Sequence, residues 1–258
     1  MKTRILVALI IALTIAFAVP FTERQFRLAQ EREKTRLDLY GILDGLLCYS
    51  EMRAAIPPTI LRDHDGLPLS SWRFASASFL LGDEVQVGYY GQWAQLHKPW
   101  DSPENSRYLS GPYREYRGCP LSYIDQTRPG DKARFVAVHG LDTAFEEAKR
   151  RLIKELPPSL ILVVETRGCM KHWMEPGGDL DVKTMPRQLG AIGSIGPCEE
   201  GKGEFFVGFA DLTVRLIRTD IQFETLAMFL TITGAKQHDR NELLSPHTIR
   251  VWNPLGMN

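Results

Sequence analysis

The sequence predicts an α+β protein in which a long N-terminal helix, with a membrane part and then an amphipathic part, packs on an antiparallel β-sheet. Three observations carry that expectation. Residues 5–21 run for seventeen positions without a charge. Leu39, Ile42, Leu43, Leu46, Leu47 and Tyr49 then recur at helical spacing, ahead of a stop at Pro57-Pro58. Further on, short β-branched runs alternate with Gly- and Pro-rich turns. The expected organisation is a signal-anchor or signal peptide over 1–21, an amphipathic stalk helix over 22–56, an α+β domain over 57–233 and a loose polar tail over 234–258.

The first segment has the order of a membrane-targeting signal. Lys2 and Arg4 give a basic start, and Ala16-Phe17-Ala18 offers the small-x-small pattern cut by signal peptidase, before Val19. Seventeen helical residues rise about 25 Å, the short end of what spans a bilayer. A retained single-pass anchor is favoured over a cleaved signal. Pro20 is expected to kink or end the run. Basic residues flank both sides, with Arg24, Arg27, Arg32, Lys34 and Arg36 following, so the positive-inside count gives no orientation. The signal-like order places the later domain outside the cytoplasm.

Residues 22–55 read as helix. Glu23, Glu31 and Glu33 among the cations make a solvated face. From Leu37 the apolar stripe must be buried, and Gly41 and Gly45, four apart, would let another element approach closely.

Composition bounds the function. Formal charge is zero and the pI is near 7.0, which excludes a basic nucleic-acid footprint. Cys48, Cys119, Cys169 and Cys198 form no CxxC pair, which argues against a zinc site. Three disulfide connectivities exist. Cys169 with Cys198 is the favoured pair because both flank a Gly/Pro-rich stretch, and buried free thiols are the equal alternative. No HExxH, GxSxG or phosphate loop occurs. No catalytic, cofactor-binding or metal residue is therefore assigned, and a non-enzymatic protein without a cofactor is expected.

Along the domain, Asp63, His64, Asp65 and Gly66 read as a plain turn. Residues 70–81, centred on Trp72, read as a short helix or strand. Tyr89, Tyr90, Trp93 and Trp100 are aromatic-rich and would suit a glycan platform, with ordinary packing the commoner use. Residues 134–138 read as a strand. Residues 143–156 read as a helix, with Thr143 and Glu146 as its capping box. Residues 159–166 read as a buried strand, and Glu165 at its end reads as a rim residue. Glu175, Asp179 and Asp181 are the best acidic cluster for a cation such as calcium, though a solvated loop is the commoner outcome. Residues 204–210 and 213–217 read as a hairpin around Asp211-Leu212, and 221–231 as a short amphipathic helix.

Several landmarks occur in a recognisable order. They are Leu39 to Leu43, Tyr49, Pro57-Pro58, Gly66-Leu67-Pro68-Leu69-Ser70-Ser71-Trp72-Arg73 and Pro99-Trp100-Asp101-Ser102-Pro103-Glu104-Asn105. Cys119-Pro120, Leu162 to Glu165, Trp173-Met174-Glu175-Pro176, Asp179-Leu180 and Phe209-Ala210-Asp211 follow. Together they resemble a pilin-like family of secreted proteins of unknown function, expanded in planctomycetes. The resemblance covers about Leu37 to Leu230. It implies a fold like type IV pilins or pseudopilins, with the second half of the N-terminal helix on an antiparallel sheet. Two features depart from the family pattern. Phe21-Thr22-Glu23 follows the apolar run, with no Gly before it, instead of preceding the run as a prepilin signal does. In the signature of a His, nine residues, then Asp-Gly, Gly201 replaces the His and Leu212 the Gly. A left-handed turn at Leu212 would be strained.

The molecular function of that family is not established; the N-terminal segment together with the resemblance leads to the expectation of a non-enzymatic structural protein of the inner membrane, single-pass, with its C-terminal domain extracytoplasmic. Its partners would be the membrane, through the helix, and a homo-oligomer or envelope proteins, with no nucleic acid. The alternative is a secreted envelope binding module, cleaved at the signal, for glycan or calcium.

Overall fold

A computed structural model of the chain describes residues 2–80, 95–106, 133–169, 171–198 and 201–253. Within these, the side chains of 2–21, Arg24, 78–80 and Ser106 stand outside the description. Tyr89, Tyr90, Trp93 and Cys119 lie outside the described residues, as does the tail beyond Asn253. The protein is α+β, with a long N-terminal helix and a mixed, mostly antiparallel sheet.

The chain divides into two units, Met1–Leu37 and Asp38–Asn258. The first consists of α1 residues; α1 runs Lys2–Arg53 and does not end at Pro20. Arg36 pairs with Glu33 one turn back, at 2.5 Å, as i,i+3 spacing allows. Among the described residues no helix is long and apolar enough to cross a membrane. The run 5–21 has no described side chains, so the anchor expectation falls outside that statement.

The second unit holds the last turns of α1 and everything after them. Ala54 ends the helix by taking the left-handed conformation, φ 55°, before the prolines are reached. The expected stripe is buried: Leu39, Ile42, Leu43 and Leu46 are each 0% exposed. The glycine that permits the close approach belongs to the sheet. A Cβ on Gly208 would lie 3.0 Å from two methyl groups of Leu43.

A hairpin, β1 (Ile60–Arg62) with β2 (Pro68–Ser71), leads directly into α2 (Trp72–Leu80). Residues 70–81 are thus strand end and helix in succession. A single turn, α3 (Pro103–Ser106), follows the proline-rich loop. The main sheet has six strands: β3 (Phe135–His139), β4 (Ile161–Glu165), β5 (Leu180–Asp181), β6 (Glu204–Phe209), β7 (Val214–Arg218) and β8 (Thr248–Trp252). Their order is β5-β3-β4-β6-β7-β8. Only β5 with β3 is parallel.

Strand alternation assigns the faces. Gly208 pairs with Val214, and Phe206 with Leu216, so these four side with α1. Val207 and Arg215 point the other way. After α4 (Phe223–Ala227) and α5 (Ile232–Gln237), α6 (Arg240–Leu244) lies on that side, where Asn241 accepts from Arg215. Arg240 of α6 lies over the Phe209 ring at 4.6 Å. Burial on both faces explains the continuous apolar runs 135–138 of β3 and 161–164 of β4, while β7 buries Arg215 among its apolar residues.

Five expectations are corrected. Residues 143–156 form turns and one 3-10 turn, Ile153–Glu155, instead of a helix. The Glu146 carboxylate accepts from the Asp142 amide and pairs with Lys149 and Arg151, while Phe145 is buried 5.6 Å from Trp72. Tertiary burial of Phe145 overrides the local helix pattern. Residues from 234 are ordered to Asn253, because their polar groups serve as caps and ties. Asp239 caps α6 by accepting from the Asn241 and Glu242 amides, Arg240 pairs with Asp211 at 2.6 Å, and β8 closes the sheet. Cys169 and Cys198 are both buried and both free. Glu165 is 2% exposed, where a rim position was expected. Its carboxylate takes the amides of Cys198 and Phe206, both at 3.1 Å, and the Arg134 guanidinium at 3.0 Å. The short helix expected over 221–231 is confined to α4.

Asp179 joins three distant segments. Its Oδ1 accepts from Trp72 Nε1 at 2.8 Å, Arg73 Nη1 at 2.7 Å and the Ala137 amide at 2.9 Å. Arg73, wholly buried, also donates to the Trp173 and Gly177 carbonyls. Removing one partner of such a buried pair costs about 3–5 kcal/mol. Asp179→Ala and Arg73→Met should each lose about that much in chemical denaturation, and the double variant far less than the sum. Additive losses would contradict the pairing. Leu212 does take the left-handed conformation, φ 63°. Leu212→Gly should therefore be more stable than Leu212→Ala by about 1 kcal/mol, the reverse of the order found in helices and strands, and denaturation midpoints of the two variants check it.

Candidate functional site

The acidic cluster suggested by sequence does not assemble. Glu175 pairs with Lys171, Asp179 is the buried node just described, and Asp181 accepts the Lys183 amide at 2.7 Å. Among the described residues one trio comes within metal-ligand spacing, Asp63, His64 and Asp65. Asp63 Oδ1 there accepts the amides of Asp65 and Leu67, at 2.9 and 2.8 Å, so it builds the turn. Trp100 stacks on His172 with centroids 5.2 Å apart, and its amide donates to the Leu69 carbonyl. Its glycan-platform companions lie outside the described residues.

The geometry that remains is a cleft at the foot of α1, within the second unit. Two ties hold its walls. The Ile56 amide donates to the Arg151 carbonyl at 2.8 Å, and the Ile153 amide donates to Ser50 Oγ at 3.0 Å. Between them opens a cavity of about 460 Å³, lined by Tyr49 and Arg53 from the helix end, Ile56 and Pro57 from its exit, and Phe145 and Arg150 from the 142–153 loop. That size falls within the range of small-molecule sites.

The electrostatics of the cleft are uneven. The Lys149 hydrogen bond holds the Glu146 carboxyl below its usual range, with Arg151 adding to the effect against partial burial. Burial pushes the Tyr49 phenol up, and Arg53 and Arg150 pull it the other way. Cys48 nearby is no activated nucleophile. Burial pushes its thiol up, and Asp44 and Glu51 push it further. The cationic side chains of the lining suit recognition of an anion. Sequence reasoning missed the cleft because its walls come from residues nearly a hundred positions apart, and Lys149 and Arg150 fall within the stretch 143–156 expected to be helix.

A second charged cluster lies on the opposite face of the sheet. Arg215 is 2% exposed, donates to Asn241 and has Nε and Nη1 without partners. Burial, with Arg240 beside it, pulls its pKa down to about 10. Asp211 accepts from Arg240 and from the Thr213 amide. Comparison with family models, curated proteins and solved structures finds no match to this chain.

Burial raises the Asp211 pKa, but the bonds from Arg240 and Thr213 outweigh it, and the net shift is downward. Its stabilising contribution is therefore complete above the unfolded value of 3.8 and is lost as pH falls through the lower folded value. Asp211→Asn should melt below wild type at neutral pH, and the gap should close in strong acid. Melting curves across that window check it; a gap of constant size would contradict the ion pair.

Proposed function

We propose that the chain is a non-enzymatic, single-pass membrane protein of the pilin-like or pseudopilin-like kind, with its C-terminal domain extracytoplasmic. One observation carries the reading. The helix that begins with the uncharged run 5–21 also supplies Leu39, Ile42, Leu43 and Leu46 to the core of a domain built on a mixed, mostly antiparallel sheet. A chain that carries a candidate anchor ahead of a folded domain suits a role in packing and partner contacts at the membrane. The ordered landmarks that resemble the planctomycete-expanded pilin-like family add to it. Inner-membrane placement and self-association or envelope partners follow from the same reading.

A second reading is a secreted envelope binding module, released by cleavage before Val19. The cleft at the foot of α1 favours it.

Fractionation of the full-length protein with mass spectrometry of its N-terminus separates the two. Intact Met1 or Lys2 in a carbonate-resistant membrane fraction is the expected result. A soluble protein beginning at Val19 would replace the anchor with the secreted module.

A further inference from the structure

The anchor reading leaves the cleft without a role. We propose that it is a binding site for a small carboxylate carried on an apolar body, with Arg53 and Arg150 as the anchors. Both arginines line the cavity, and neither side chain makes a hydrogen bond or ion pair among the described residues, though both act electrostatically on Tyr49. Their neighbours behave differently: Lys149 and Arg151 share Glu146. Three cations, Arg53, Lys149 and Arg150, line the cleft with two carboxylates, Glu146 and Glu147, so the lining carries a positive surplus, while Asp142 acts on Lys149 and Arg151 from beside it. A guanidinium presents a planar fork that matches a carboxylate. Ile56, Pro57 and Phe145 give the interior an apolar surface for the body of the ligand.

The site is built before any ligand arrives. The bonds from Ile56 to Arg151 and from Ile153 to Ser50 tie the helix end and its exit to the 142–153 loop, so binding has the exposed Arg53 and Arg150 side chains to order and not the backbone of the walls. Phe145 is itself held against Trp72. Glu147 lines the cavity as well and opposes an incoming anion, which makes it the natural opposite control.

Calorimetric titration of the full-length chain tests the site with phenylacetate, with 2-phenylethanol as the uncharged body, and with acetate as the charge alone. Phenylacetate should give saturable one-site binding, and each of the other two about tenfold weaker binding or none. Arg53→Gln and Arg150→Gln should each weaken phenylacetate about tenfold with melting temperatures unchanged, and Glu147→Gln should tighten it. If Arg53→Gln fails to fold, Arg150→Gln decides the matter by itself. Absence of saturable phenylacetate binding, equal binding of phenylethanol, or unchanged affinity in a folded Arg150→Gln variant would each overturn the proposal.

Discussion

The second unit depends on one packing contact, the last turns of α1 against the middle of the sheet. Leu39, Ile42, Leu43 and Leu46 lose all contact with water. Each such side chain contributes roughly 1.5–3 kcal/mol, so the stripe supplies on the order of 6–12 kcal/mol, as much as the net stability of many domains. Gly208 is where the helix comes closest, and the contact works because no Cβ stands under Leu43. Strands β6 and β7 are thereby fixed in register: a slip by one residue would turn Phe206 and Leu216 away from the helix and Arg215 toward it.

Around that contact, buried carboxylates fasten segments that are far apart in the chain. Asp179 ties α2 to β3 and to the 173–179 loop; Glu165 ties β4 to β6 and to the Gly-rich loop. Asn105 does the same for the proline-rich loop through the Gln95 and Pro99 carbonyls. These are residues of the landmarks that carry the family resemblance. Ser71-Trp72-Arg73, Trp173 and Asp179 meet at a single node. These landmarks therefore have a structural explanation, while Tyr49 and Pro57-Pro58, landmarks too, line the cleft beside Arg53 and Arg150, which are not landmark residues.

Local patterns made part of this fold legible. The α1 stripe has helical spacing, β4 is a β-branched run, and the β6-β7 hairpin turns at Asp211-Leu212; each is specified by neighbours in sequence. The turns over 143–152 were misread because Thr143 and Glu146 look like a capping box. In the fold Glu146 still binds a backbone amide, that of Asp142, but Phe145 is drawn into the core and no helix forms. The ordered stretch from residue 234 was hidden for a related reason. Asp239 and Arg240 look like solvated polar residues until their partners, the α6 amides and Asp211, are in place. Glu165, Asp179 and the cleft depend on contacts across thirty to a hundred residues, which no local pattern records.

The central claim is that the end of α1 belongs to the core of the domain rather than serving only as a stalk. Two shortened chains test it most directly, one beginning at Asp38 and one at Pro57, compared by thermal melting with near-ultraviolet circular dichroism. The account predicts a cooperative transition and fixed aromatic signals for the chain from Asp38. It predicts neither for the chain from Pro57, which lacks the stripe. Equal cooperative melting of both chains would contradict it.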